Sequence, residues 1–344
     1  MLPARHSSQV WPASLEVRML IASLMPSPSR WTPALEDMAR RFPDHEFRID
    51  PETALSSPGR VDAVVASRVD PGLFEALSSL KAIFVPFTGA NHLPRELLLQ
   101  RGVRVFNVHG NAESVAQCAL AMTLAFFGRT VEYHNDLREG RWHGFWVGKG
   151  AEDEWTSIWH KRCLVLGTGA IGSQLARLLA AFDCPVVGYR RRGDAAVPPH
   201  FDRIEPDLHK AWAEAELVFA ALPLTDQTRG LVSKDILLSS RGKFLVNVGR
   251  GPVVDEEGLY LALRDGILRG AAIDTWYRYP EGGATTGAPS RFPIHELPNV
   301  LLSPHIAGST AEANQLSMEQ TMENLASWLE TGRCAREVDL RELY

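Results

Sequence analysis

Short apolar runs alternate with stretches of helical spacing along almost the whole chain. Val17–Ser23, Ala63–Ala66, Ala82–Phe84 and Val103–Val108 have the unbroken apolar character of strands buried on both faces. Thr32–Phe42, Pro71–Leu80 and Pro94–Gln100 lie between them and read as the connecting helices. The second half repeats the alternation with Cys163–Leu166, Pro185–Tyr189, Leu217–Leu222, Phe244–Val248, Ala271–Asp274 and Val300–Ser303 as strands. Such alternation predicts parallel α/β sheets. Ser114–Phe127 is apolar nearly all round and predicts a helix buried between domains, closed by Gly128. Asp255 is placed to cap a helix running to Asp265, with Gly266 beyond its end. Ser309 and Glu312 have capping-box spacing before a long final helix containing Leu316, Met322, Leu325 and Leu329. That helix is read as returning to the first domain. Residues 1–15 read as a loose leader, and no internal repeat or low-complexity tract occurs.

The stretch from Arg162 to Arg192 organises the second half: strand, glycine-rich turn, helix, strand. Gly167, Gly169 and Gly172 form G-x-G-x-x-G where the helix begins, and Ile171, Leu175, Leu178, Leu179 and Phe182 form one buried stripe along it. Gly167 permits the tight turn, Gly169 lets backbone approach a pyrophosphate, and Gly172 lets the helix pack closely. The helix N-terminus then presents N–H groups and positive dipole to an anion. The fold class is therefore α/β, with two doubly wound parallel-sheet domains and a cleft between them. One is a Rossmann dinucleotide-binding domain (113–308), and the other is a smaller, flavodoxin-like substrate domain (1–112 with 309–344). The 344 residues leave room for both, at about 100–200 residues per domain.

Composition narrows the setting. Apolar residues at 45% and charged residues at 22% are ordinary for a globular chain, and a net charge of −5 gives no reason to expect nucleic acid. No run reaches the roughly 18 apolar residues of a membrane span, so no membrane partner is expected. Cys118, Cys163, Cys184 and Cys334 have no metal spacing and read as buried thiols in a reducing compartment, the cytoplasm. Between Val131 and Trp159 stand Tyr133, Trp142, Phe145, Trp146, Trp155 and Trp159. This aromatic density outside regular structure suggests either an arm that packs on another subunit, giving a homodimer, or a loop folded back on its own domain.

The polar residues that follow the strands carry the chemistry. Arg250 follows Phe244–Val248, Asp274 ends Ala271–Asp274, and His305 follows Val300–Ser303. In a doubly wound sheet all three lie on the cofactor's edge. Arg250 can clamp a carboxylate through two hydrogen bonds, and His305 can exchange a proton near neutral pH. Asp274 can hold a nicotinamide carboxamide or orient a neighbour. The turns Thr88–His92 and Asn107–Asn111 also follow strands, as ligand loops or as ordinary glycine turns.

These residues resemble the D-isomer-specific 2-hydroxyacid dehydrogenases, from about Val17 onward. LVLGTGAIG resembles the family's cofactor turn and ALPLTDQTRGLV its segment lining the cofactor cleft. NVGRGPVVDEEGLYLALRDGILRGAAIDTW and LPNVLLSPHIAGST resemble its two catalytic signatures. The resemblance implies that Arg250 binds the substrate carboxylate, assisted by the backbone N–H groups of Gly89 and Ala90, and that His305 is the general acid/base. It also implies cofactor contacts from Gly167, Gly169, Ala170, Ile171, Gly172, Pro223, Val248 and Asp274, and a homodimer.

Two positions depart from the pattern. The acidic residue usual after the second strand is Arg190 here, followed by Arg191, which favours NADP(H) over NAD(H), though NAD(H) remains possible. The glutamate that pairs with the catalytic histidine is replaced by Tyr279 before Pro280, with Glu281 two residues on. A neutral tyrosine removes the carboxylate's pull on the histidine but can still orient its ring. The expected activity is interconversion of a small 2-oxo acid and its D-2-hydroxy acid by hydride transfer. The alternative is a cofactor-sensing binding protein with vestigial catalysis on the same fold.

Overall fold

The computed structural model describes residues 18–26, 28–191, 196–334 and 336–341, so the 1–15 leader and Arg192 lie outside the described residues. The chain forms two units: one runs to Gly110 and resumes at Asn314, and the other is Asn111–Ala313.

In the first unit the strands are β1 (Leu20–Ser23), β2 (Glu46–Arg48), β3 (Ala63–Val65), β4 (Ala82–Phe84) and β5 (Arg104–Phe106). They form a parallel sheet in the order β2-β1-β3-β4-β5. That is the flavodoxin order, with its switch point between β1 and β3. The helices are α1 (Pro28–Arg41), α2 (Pro51–Ala54), α3 (Pro71–Ala76) and α4 (Arg95–Arg101). Alternate residues of each strand feed opposite core layers. Val64, Ile83 and Val105 pack with Phe74, Leu77 and Leu98 on one face. Ile21, Phe84 and Phe106 pack with Trp31, Leu35 and Trp328 on the other. Full burial of such side chains is worth roughly 1.5–3 kcal/mol each.

The second unit begins with α5 (Ala112–Phe127) and α6 (Thr130–Arg138). Its strands are β6 (Cys163–Leu166), β7 (Val186–Tyr189), β8 (Arg203–Ile204), β9 (Leu217–Ala220), β10 (Phe244–Asn247), β11 (Gly270–Ile273) and β12 (Val300–Leu302). Its further helices are α7 (Ala170–Ala180), α8 (Leu208–Glu214), α9 (Lys234–Leu238) and α10 (Glu256–Arg264), and α11 (Ala311–Thr331) carries the chain across the unit boundary. The sheet order, β12-β11-β10-β9-β6-β7-β8, is the Rossmann order with one added strand, and the chain reverses direction between β6 and β9.

Three readings need correction. The aromatic segment is not wholly irregular, because α6 occupies Thr130–Arg138 and includes Tyr133. This helix buries no residue and leaves Val131 and Leu137 exposed, so no apolar stripe marks it in the sequence. The α11 cap is Thr310 rather than Ser309: the Ala313 N–H donates to Thr310 Oγ1 at 3.1 Å. The buried face of α5 belongs to the second unit's own core, where Phe126 and Phe127 pack on Phe244 at 4.5 and 5.0 Å. Gly270 makes room for this, since a Cβ there would lie 2.3 Å from the Phe126 ring.

Among the described residues no single helix is long and apolar enough to cross a membrane, and no group of three His, Cys, Asp or Glu could hold a metal. The four cysteines are unpaired thiols.

Candidate active site

The glycine turn has the shape a dinucleotide requires. Gly167 has φ +99°, open only to glycine, and its carbonyl oxygen lies where a Cβ on Gly172 would come within 1.9 Å. The first turn of α7 therefore presses directly on the strand exit. Gly169 stands at the N-cap with no side-chain cap bond, and Gly169 and Ala170 are exposed while Ile171 is half-buried. The opening N–H groups of α7 have no partner within the helix and remain available to an anion.

Neighbouring strand exits close on this turn. A Cβ on Gly167 would lie 3.0 Å from the Ala221 carbonyl, and one on Gly249 would lie 2.7 Å from the Leu222 carbonyl. Gly167, the Leu222–Pro223 step and the Val248–Gly249 step are thereby brought together at the C-terminal edges of β6, β9 and β10. Thr228 fixes the middle piece, donating to the Pro223 carbonyl at 2.6 Å. After β7, Arg190 is half-buried and donates to the Ala196 carbonyl at 2.8 Å, while Arg191 is exposed. The residues of this turn fit a dinucleotide.

Asn247, the last residue of β10, holds the turn that carries Arg250. Its Oδ1 accepts the Gly249 N–H at 3.2 Å, and its Nδ2 donates to the Arg250 carbonyl at 3.2 Å. Gly251 keeps that turn against the exit of β11, since a Cβ there would sit 2.3 Å from the Trp276 carbonyl. Arg250 Nη1 donates to the Gly249 carbonyl at 2.7 Å. Burial lowers the Arg250 pKa and the Tyr279 phenol opposes that, but a guanidinium keeps its charge in a protein.

Asp274 does not reach outward. It is 2% exposed. Its Oδ1 accepts the Ser303 hydroxyl at 2.5 Å, the Ile306 N–H at 3.0 Å and the Ala307 N–H at 3.3 Å. The loop around His305 hangs on this one carboxylate. His305 itself has φ +61°, a left-handed conformation that costs a non-glycine residue about 1–3 kcal/mol unless its surroundings impose it. The three bonds to Asp274 impose it.

Tyr279 stands beside the imidazole, ring centroids 5.4 Å apart at 45°. Its hydroxyl accepts the Trp276 N–H at 3.0 Å, so it meets His305 with its ring rather than through an oxygen. Among the described residues no carboxylate hydrogen-bonds His305, and Glu281 is exposed. Partial burial first, and the Arg250 charge second, pull the His305 pKa below its ordinary 6.5, while Asp274 acts in the opposite sense.

In the first unit, Gly89 and Ala90 follow β4 in a turn tied to the next strand exit. Thr88 Oγ1 donates to the Val108 carbonyl at 3.1 Å, and Asn107 Nδ2 donates to the Thr88 carbonyl at 2.7 Å. Sequence reasoning passed over Asn247, Ser303 and Thr228. The first two had a signal, being polar residues at or just after the C-terminal ends of buried strands.

Comparison with known proteins adds a family match. Residues 120–307 match the family described as "D-isomer specific 2-hydroxyacid dehydrogenase, NAD binding domain". A glyoxylate/hydroxypyruvate reductase B of Erwinia tasmaniensis is 32% identical over 282 residues, 81% of this chain and 82% of the relative. A glyoxylate reductase of Thermofilum pendens is 29% identical over 307 residues, 87% of this chain and 83% of the relative. Among solved structures, the NADPH-dependent glyoxylate/hydroxypyruvate reductase of Sinorhizobium meliloti, in complex with NADP and malonate, superposes with TM-score 0.74 at 25% identity. That match covers 95% of this chain and 98% of the other. The 2-hydroxyacid dehydrogenase of Ketogulonicigenium vulgare superposes with TM-score 0.73 at 25% identity, over 94% and 99% of the two chains.

Proposed function

The chain belongs to the D-isomer-specific 2-hydroxyacid dehydrogenase family and is an NAD(P)-dependent oxidoreductase, and from that premise we propose that it reduces a glyoxylate- or hydroxypyruvate-like 2-oxo acid to its D-2-hydroxy acid, preferring NADPH. The observation that carries the reading is the grouping of Arg250, Asp274 and His305 at adjacent strand exits of one sheet. Arg250 clamps the substrate carboxylate. NADPH, when bound, would supply the hydride for the carbonyl carbon. His305, protonated beforehand, gives its proton to the carbonyl oxygen and is left as neutral imidazole. Asp274 positions His305. Tyr279 shields one side of the imidazole without charging it. Gly167, Gly169, Ala170, Ile171, Gly172, Pro223 and Val248 would hold the dinucleotide, and Arg190 with Arg191 would pair with a 2′-phosphate. The unit that resumes at Asn314 serves the substrate. The aromatic arm pairs two copies of the chain, and the free thiols suit a reducing cytoplasm.

The lack of a carboxylate on His305 favours a second reading, a cofactor-sensing binding protein. The deciding experiment is a panel of 2-oxo acids followed by NADPH and NADH absorbance, with chiral analysis of product. D-2-hydroxy acid formation, abolished in His305→Ala, supports the reductase. NADPH binding without turnover of any 2-oxo acid overturns it in favour of the sensor.

A further inference from the structure

The segment after α6 lies outside the site just described and carries the most exposed aromatic pair among the described residues. Phe145 and Trp146 are 76% and 75% exposed, with rings 4.6 Å apart. His143 stands at the base of their loop between two carboxylates. Its Nε2 is 2.8 Å from Asp136 Oδ2, and its Nδ1 is 3.1 Å from Asp153 Oδ1. Asp153 also accepts the Gly144 N–H at 2.9 Å, so it closes the loop from Gly144 to Asp153. A neutral imidazole donates from one nitrogen only, and the lone pair of the other would then face a carboxylate. The observed geometry is satisfied only by the doubly protonated ring.

The surrounding charges agree. Arg141 binds Asp136 and Glu139, Arg129 binds Glu132, and Arg129 and Lys149 stand 3.9 and 4.0 Å from Asp153. The Tyr133 ring lies 4.7 Å from the imidazole, and its hydroxyl donates to the Asp153 carbonyl. These charged groups find partners inside the arm, which leaves the exposed Phe145–Trp146 pair as an apolar face beside them. That suits an isologous contact with a second copy.

We propose that His143 is a protonation latch: its imidazolium closes the 144–153 loop and presents Phe145 and Trp146 to a second copy of this chain, and its deprotonation opens the loop and weakens that pairing. The proposal rests on the reading of the arm as the pairing surface. Hydrogen bonds donated to Asp136 and then to Asp153 hold the His143 pKa above 6.5, against partial desolvation. The contribution is therefore full below pH 6.5 and disappears as pH rises through the higher folded pKa.

The test uses the whole chain, from about pH 6 to about pH 9. Hydrogen exchange, corrected for its intrinsic pH dependence, follows the 144–153 amides, and sedimentation equilibrium follows dimer dissociation. The expected result is protection that falls with pH, together with a dissociation constant that rises roughly fivefold or more. His143→Gln has one amide donor and one acceptor and should show weak, pH-independent protection. His143→Arg, charged throughout, should keep protection at high pH. A dimer whose affinity and loop protection do not change with pH overturns the latch. A chain that is monomeric throughout overturns the pairing reading, whatever its loop protection does.

Discussion

Asp274→Ala tests how the proposed general acid is held. The substitution leaves three donors without their acceptor: the Ser303 hydroxyl, the Ile306 N–H and the Ala307 N–H. A buried orphaned donor costs about 1–3 kcal/mol. Ile306 is 57% exposed and can turn to water, whereas Ala307 is 4% exposed and cannot. The full penalty therefore falls on Ala307, and the loss in stability should be about 1–3 kcal/mol. Relaxation of the left-handed backbone at His305 recovers part of this, and in doing so it moves the imidazole. A shift of that kind should lower kcat/KM by about 100-fold. Asp274→Asn keeps one acceptor oxygen but turns an amide N–H toward Ala307, so it should fold better and lose less. It also removes the charge that raises the His305 pKa, so the alkaline limb of its pH profile should move to lower pH. Steady-state kinetics across pH, with unfolding followed by near-ultraviolet circular dichroism, measures all three effects. If Asp274→Ala retains wild-type kcat/KM and an unmoved limb, His305 is positioned by something else.

Two further substitutions address the cofactor. Gly172→Ala places a Cβ 1.9 Å from the Gly167 carbonyl, backbone against backbone, so the turn must open. Overpacking of this kind costs about 1–3 kcal/mol, and titration fluorimetry should show at least about tenfold weaker NADPH binding, with wild-type affinity refuting the reading. Arg190→Asp should narrow or reverse the NADPH preference, since a charge-assisted hydrogen bond is worth about 1.5–3 kcal/mol. A wild-type protein that already favours NADH by kcat/KM would show that the guanidinium serves only the Ala196 carbonyl.

What could be read from the sequence follows from what is buried. β4 and β6 were delimited to the residue because strands covered on both faces are continuous apolar runs. β2 escaped because Glu46–Arg48 is a half-buried edge strand with two charged residues in three. α6 escaped because a helix without a buried face has no stripe. The glycine turn was legible because Gly167 and Gly172 satisfy backbone constraints that no other residue meets. Arg250, Asp274 and His305 could be placed because a strand end is a recognisable address in a doubly wound sheet. The partners of those residues were not legible. Nothing in the sequence says that Asp274 bonds a loop about thirty residues on, or that the Tyr279 hydroxyl turns to the Trp276 N–H.

The missing carboxylate beside His305 has a consequence that distinguishes the free enzyme from its substrate complex. In the free enzyme the Arg250 charge helps hold the His305 pKa below 6.5, yet reduction requires the protonated ring. On the proposed function, the substrate carboxylate lands on Arg250 and neutralises that charge. One of the two influences that lower the His305 pKa is then removed, while Asp274 continues to raise it. Substrate binding should therefore draw a proton onto His305, so that the clamp also prepares the acid. The pH dependence of kcat/KM reports the free enzyme and that of kcat the complex. The alkaline limb of kcat for reduction should consequently lie at higher pH than that of kcat/KM. In Arg250→Lys, which keeps a charge but not the fork, the gap should persist with a raised KM. Coincident limbs in the wild type would mean that Arg250 does not meet the substrate's carboxylate.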